Sequence, residues 1–157
     1  MTSKRSRWLF LGFGVLAACN PPKPPAPKPE PVAPVAQIEE STTCYQFISK
    51  EKDQYDCQLH IKGNDVTGNY VWAPEEGHGA SGSFKGTIKD DTITADWTFE
   101  IEGSTQLEEV VFKRRGDQLV ALKGELVEKG DKLVLKDPAK AKEDPIMTKI
   151  DCSKISQ

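Results

Sequence analysis

The chain has 157 residues, 29% of them charged and 37% hydrophobic, with 12 Gly, 11 Pro, 4 Cys and a net charge of −3. That length suits one ordinary domain and is too short for two well-packed ones. The mildly acidic balance argues against nucleic acid as a partner, because phosphate recognition needs a clustered positive field.

Lys4, Arg5 and Arg7 precede an apolar run from Trp8 to Ala18, and no acidic residue occurs before Glu30. Eleven residues are too few to cross about 30 Å of hydrocarbon as a helix, but they suit the apolar segment of an export signal. The run ends in Leu16-Ala17-Ala18-Cys19. With this lipobox the sequence resembles bacterial lipoproteins. The resemblance implies that residues 1–18 are a cleaved signal peptide and that Cys19 carries a diacylglyceryl thioether and an acylated amino group. Loss of residues 1–18 removes Lys4, Arg5 and Arg7 and takes the net charge from −3 to −6. Several acyl chains anchor a protein stably where one alone binds marginally, at ~0.8 kcal/mol per buried CH₂. Asn20 is not the Asp that retains enteric lipoproteins at the inner membrane, so the outer membrane is the expected address, on its periplasmic or surface face.

Residues 19–40 form the lipidated N-terminus and a tether. Eight of the eleven prolines lie between Pro21 and Pro34. Proline fixes φ and lacks an amide donor, so the stretch favours polyproline II, and residues 20–36 would span about 50 Å fully extended. A solvated spacer explains this composition. The alternative is a contact with a proline-reading domain or with the cell wall through Lys23 and Lys28.

From Ser41 the pattern becomes alternating. Tyr55, Cys57, Leu59 and Ile61 alternate with polar residues, as do Val66, Gly68, Tyr70 and Trp72. The clearest run is Ile93, Ala95, Trp97, Phe99 and Ile101 against Thr92, Thr94, Asp96, Thr98 and Glu100. A period of two means strands with one buried face. The pattern predicts strands near 44–49, 54–61, 65–72, 81–89, 92–101, 105–113, 118–127, 132–136 and 146–151. Turn sequences such as Lys62-Gly63-Asn64-Asp65, Lys89-Asp90-Asp91, Arg115-Gly116-Asp117 and Lys129-Gly130-Asp131 separate them. Turns near 90, 103, 116 and 130 are 13, 13 and 14 residues apart, the spacing of sequential hairpins. Asp137 as a cap, Pro138 at the first helical position and Pro145 beyond predict one short helix near 137–143.

The expected domain, residues 41–157, is therefore all-β. It is an antiparallel up-and-down meander of about eight or nine strands, closed or nearly closed into a small, calycin-like barrel that removes its sheet edges. With Cys19 lipidated, Cys44, Cys57 and Cys152 remain in an oxidising compartment. Closure would bring the first strand beside the last, favouring Cys44–Cys152. Cys44–Cys57, across adjacent strands, is an alternative pairing. Cys57 shares the apolar face of its strand and is expected to be an inward-facing free thiol.

Patterns for catalysis are missing: no CxxC, HExxH, P-loop, GxSxG or complete EF-hand loop occurs. Glu75-Glu76-Gly77-His78-Gly79 has donors for a divalent ion but also suits a polar loop. His60 falls on the polar side of its strand, and Ser81 and Ser83 have no evident activating base. Asp90-Asp91 and Glu108-Glu109 point to opposite faces of a strand and read as surface or turn pairs. Lys113-Arg114-Arg115 is a brief basic run, and Arg115-Gly116-Asp117 is explained as a turn.

The segment Cys44–Cys152 is also similar to small envelope lipoproteins of bacteria. The similarity lies in Cys44-Tyr45, in Gly86 with Asp91 and Ala95-Asp96-Trp97-Thr98-Phe99, in Glu102-Gly103, in Glu109-Val110-Val111-Phe112 and in Asp151-Cys152. Cys57 departs from that pattern, which fits an unpaired thiol. No activity comes with this resemblance.

The expectation is a non-catalytic, monomeric envelope lipoprotein, held to the membrane by acyl chains on Cys19, with no cofactor and a role in binding or envelope structure. Tyr70, Trp72, Phe84, Trp97, Phe99 and Phe112 supply the aromatic core such a domain needs. In an alternative, the same six line a cavity for an apolar small molecule. In another, the domain docks onto an envelope protein assembly.

Overall fold

The computed structural model describes residues 39–155. Cys19, the signal segment 1–18 and the proline-rich stretch 20–36 lie outside the described residues. Ten strands follow in order: β1 (Glu40–Ile48), β2 (Gln54–Lys62), β3 (Asp65–Ala73), β4 (Ala80–Lys89), β5 (Thr92–Ile101), β6 (Ser104–Arg115), β7 (Gln118–Lys123), β8 (Leu126–Lys129), β9 (Lys132–Leu135) and β10 (Lys142–Ile150). Consecutive strands from β1 to β7 pair antiparallel, β7 pairs with β10, and β10 pairs with β1, with Cys44 opposite Ile150. The result is a closed barrel of eight strands, with β8 and β9 outside it. Every edge of the ring is paired, so closure solves the edge problem that the meander poses. All ten strands, the core and the disulfide lie within the compact unit 36–157, so every element that holds the barrel together is contained in it.

The alternation becomes burial. Ile93, Ala95, Trp97 and Phe99 are buried while Thr94, Asp96, Thr98 and Glu100 are exposed. One end of the barrel is packed solid by Val66, Ile93, Phe112, Leu119 and Met147, all fully buried. The chain enters at Glu40, at this closed end.

Two expectations are corrected between β7 and β10. A single strand over 118–127 is replaced by two. The chain leaves the barrel after Lys123, and β8 and β9, four residues each, form a hairpin that joins the ring through one parallel bridge, Glu108 to Leu133. Lys132 fixes that hairpin from outside, pairing with Asp96 and with Glu109, the latter at 3.4 Å. The short helix expected over 137–143 is one 3-10 turn, Pro138–Lys140, with Asp137 capping it as expected through a bond from the Ala139 amide, 3.1 Å. It stops there because β10 begins at Lys142, which pairs with Lys123. Pro145, expected to lie beyond a helix, sits at the register shift of β10, where no ladder amide is needed.

Glycines on the inner face of β4 let the backbone of β5 approach closely. A Cβ on Gly82 would lie 2.0 Å from the Thr98 carbonyl oxygen, and one on Gly86 2.1 Å from that of Thr94. Backbone, not a flexible side chain, occupies the space. Gly82→Ala is expected to destabilise by about 3 kcal/mol, at the upper end for overpacking. Gly124→Ala, whose Cβ would approach a Leu135 methyl group at 3.3 Å and otherwise make ordinary contact with Ala141 at 3.7 Å, should be nearly neutral. Urea denaturation of the two variants checks the contrast.

The disulfide is Cys44–Cys152, closing a span of 108 residues. Asp56 is the one buried charged residue among the described positions. Strand alternation places it on the outer face, where it accepts from Gln46 Nε2 at 2.9 Å and Gln54 Nε2 at 2.6 Å. The C-terminal turn delivers Ile155 to the recess beside it.

Candidate functional site

The aromatic residues do not fill the whole barrel. At the end formed by the start of β2, the end of β3 and the start of β4 lies a cavity of about 320 Å³. Tyr70, Trp72, Trp97, Phe99 and Phe112 line it, as the cavity alternative expected. Tyr70 meets Trp97 edge-on at 5.1 Å and Phe112 at 5.3 Å, and Trp97 stacks on Phe99 at 3.9 Å. The Trp97 indole donates to the Gly82 carbonyl, 3.2 Å, which fixes that ring.

Phe84 is a correction: it does not line the cavity. It is buried in the closed half, and its Cζ occupies the space where a Cβ on Gly68 would stand, 2.4 Å away. The ring fills the gap left by a glycine on the neighbouring strand.

Three polar members of the cavity wall were missed. Glu108, read from sequence as a surface residue, faces inward opposite Trp97, while Glu109 faces outward opposite Asp96. The alternation Gln106, Glu108, Val110, Phe112 was the available signal. Tyr55 and Lys123 complete the rim, with Lys123 Nζ donating to the Tyr55 hydroxyl at 2.9 Å and standing 4.5 Å from the ring centroid. The Trp72 indole nitrogen, also on this wall, is buried and has no acceptor among the described residues.

Burial pushes the Glu108 carboxyl above its ordinary pKa, and the Lys123 charge opposes this. Among the described residues Glu108 has no hydrogen bond or ion pair. A carboxyl whose pKa is raised on folding binds its proton more tightly in the native state. Its charge therefore disfavours the fold at neutral pH, and the penalty disappears as pH falls through the raised value. Glu108→Gln is accordingly expected to be at least as stable as the parent at neutral pH, with the difference vanishing in acid. Urea melts under the two conditions measure this.

Cys57 is free and fully buried on the inner face, and burial, with the Asp56 charge beside it, pushes its thiol far up. Reactivity needs the thiolate. No thiol of the folded unit should therefore react with a maleimide, and one should react after unfolding without reductant. Tyr70 is likewise raised by burial.

The remaining sequence candidates are dispersed. Glu75 pairs with Lys52 at 2.8 Å, and its loop is exposed. Among the described residues no group of three or more His, Cys, Asp or Glu side chains is placed to hold a metal. His60 sits beside Glu40, 3.2 Å, and Thr42, 3.0 Å, on the barrel exterior. Ser81 and Ser83 are exposed on β4. The basic run is divided: Lys113 and Arg115 pair with Glu143 at 3.4 and 2.5 Å. The Arg115-Gly116-Asp117 tripeptide is the β6–β7 hairpin turn, as expected, with Gly116 at φ 57°.

The chain matches no family model, no curated protein and no solved structure. The site therefore has to be read from its own chemistry: a mainly apolar chamber rich in aromatic rings, with one inward carboxyl and a lysine–tyrosine rim. No helix among the described residues is long and apolar enough to cross a membrane.

Proposed function

We propose that this chain is a lipid-anchored lipoprotein of the bacterial cell envelope, more specifically of the outer membrane, whose barrel is a non-catalytic domain binding a small apolar molecule. The cavity carries the binding part of the reading. Its volume of about 320 Å³ is at the lower end of small-molecule sites, and its wall is mainly hydrophobic with a few polar groups, the usual make-up of such sites. A domain serving only as a structural block would gain stability by filling this space with larger side chains at Ala80 or Ala121, which both line it. The anchor rests on Leu16-Ala17-Ala18-Cys19 and the segment before it.

The binding reading is tested with N-phenylnaphthylamine, an apolar probe whose fluorescence rises out of water, on residues 36–157. The parent is expected to bind it saturably, and Ala80→Phe, which fills the cavity while retaining the circular dichroism of the fold, to lose that binding. No enhancement, or an enhancement unchanged in Ala80→Phe, would overturn the reading. For the anchor, Cys19→Ala in the full chain should leave the membrane pellet. Retention there would contradict lipidation.

A further inference from the structure

We infer that the molecule taken by this cavity carries an organic ammonium group, received by Glu108 among the aromatic rings. This inference rests on the binding role proposed above and adds the chemistry of the ligand. Glu108 is the one acidic side chain on the cavity wall, opposite Trp97 on the inner face. Among the described residues nothing donates to it or pairs with it directly. Lys123, the cation whose field reaches it, makes no direct pair with it; it donates one ammonium hydrogen to the Tyr55 hydroxyl at 2.9 Å and remains a charge on the rim.

Glu108 is half-buried, and a carboxylate drawn partly out of water without a protein donor costs the fold some stability that a ligand can relieve. An anionic ligand would add repulsion, and an uncharged one without a donor would leave the carboxylate as it stands. A cation answers both the charge and the missing donor. The wall around it also favours a cation: Tyr70, Trp72, Trp97 and Phe99 present π systems, which attract ammonium groups most strongly where water is excluded, while the Tyr55 ring is already covered by Lys123. The alkyl or aryl remainder of the ligand would occupy the apolar space lined by Ala80, Val110 and Ala121.

The compact unit has two tryptophans, Trp72 and Trp97, and both line the cavity, so intrinsic fluorescence reports occupancy directly. The experiment titrates residues 36–157 with octylammonium, octanol and octanoate at neutral pH, and repeats the series with Glu108→Gln. Octylammonium is expected to bind about tenfold tighter than octanol, the size of a desolvated cation–π and charge contribution, with octanoate weakest. In Glu108→Gln that preference should fall to near parity while octanol binding is retained. Equal binding of ammonium and alcohol, or a preference that survives in Glu108→Gln, would overturn the cation inference and leave an apolar site standing. Tightest binding of octanoate would transfer recognition to Lys123 and also overturn it. If none of the three perturbs the tryptophans, the binding role itself fails.

Discussion

Removing the Cys44–Cys152 bridge is expected to destabilise the barrel by about 4–5 kcal/mol. The bridge closes a span of 108 residues, from the first strand to the turn after the last. In the chain-entropy account a cross-link of that length removes a large share of the freedom of the unfolded chain. The ring itself is closed by the short pairing of β1 with β10, and the bridge lies at that seam, beside the Cys44–Ile150 pair. Cys44→Ala/Cys152→Ala is the suitable variant, because it leaves Cys57 as the single cysteine of the domain and prevents mispairing. Urea denaturation should show a lower midpoint together with a steeper slope, since the unfolded chain without the bridge exposes more surface. A loss below about 1 kcal/mol would mean that strand pairing alone holds the seam.

Phe112→Ala is the second large effect, with an expected loss of about 3–5 kcal/mol. Phe112 is fully buried on β6, and its ring contacts those of Tyr70 and Phe84 at 5.3 and 5.9 Å. It stands at the boundary between the solid half of the barrel and the cavity, which it also lines. Truncation would extend the cavity into the core, so the lost ring is not replaced by collapse of its neighbours. Phe112→Leu, which keeps much of the volume, should lose markedly less. Tyr55→Phe at the rim removes only the hydroxyl that accepts from Lys123 and should change stability little. A Phe112→Ala loss no larger than that of Tyr55→Phe would show that the layer does not hold the barrel together.

Much of this architecture was legible because a strand with one wet face writes its burial into alternate residues. Residues 92–101 are the plainest example, and the turn residues around Asp90, Gly103 and Gly116 set the hairpins that follow. The disulfide was inferable once closure was inferred, since closing a meander brings its two ends together. The β8–β9 hairpin was not inferable. Residues 118–127 read as one continuous run, and only the three-dimensional need for β7 to hand over to β10 shows where the chain departs. Pro145 misled for a related reason: proline after a capped turn looks like a helix stop, yet a register shift in a strand accommodates it equally well. The inner glycines carry no apolar signal, so alternation passes over them, although Gly82 and Gly86 determine how closely neighbouring strands approach.

The site was legible in its rings and not in its charges. Five of the six aromatic residues expected on a cavity wall are there, because inward-facing aromatics at one end of a small barrel have nowhere else to go. Phe84 differs only because Gly68 opens a space for it in the adjacent layer. Glu108 escaped notice because paired acids suggest a solvated surface. The alternation in its own strand, which puts it on the same face as Val110 and Phe112, was the stronger cue.

The most direct test of the account is native mass spectrometry of residues 36–157 exported to an oxidising compartment of a bacterial host, with the denatured, alkylated mass measured alongside. The account predicts a reproducible adduct that departs on denaturation and is absent from Ala80→Phe. It also predicts a ligand mass belonging to a compound with a basic nitrogen, and a chain with one disulfide and one alkylatable thiol. A bare protein in every preparation, with parent and Ala80→Phe alike after exposure to octylammonium, would contradict it.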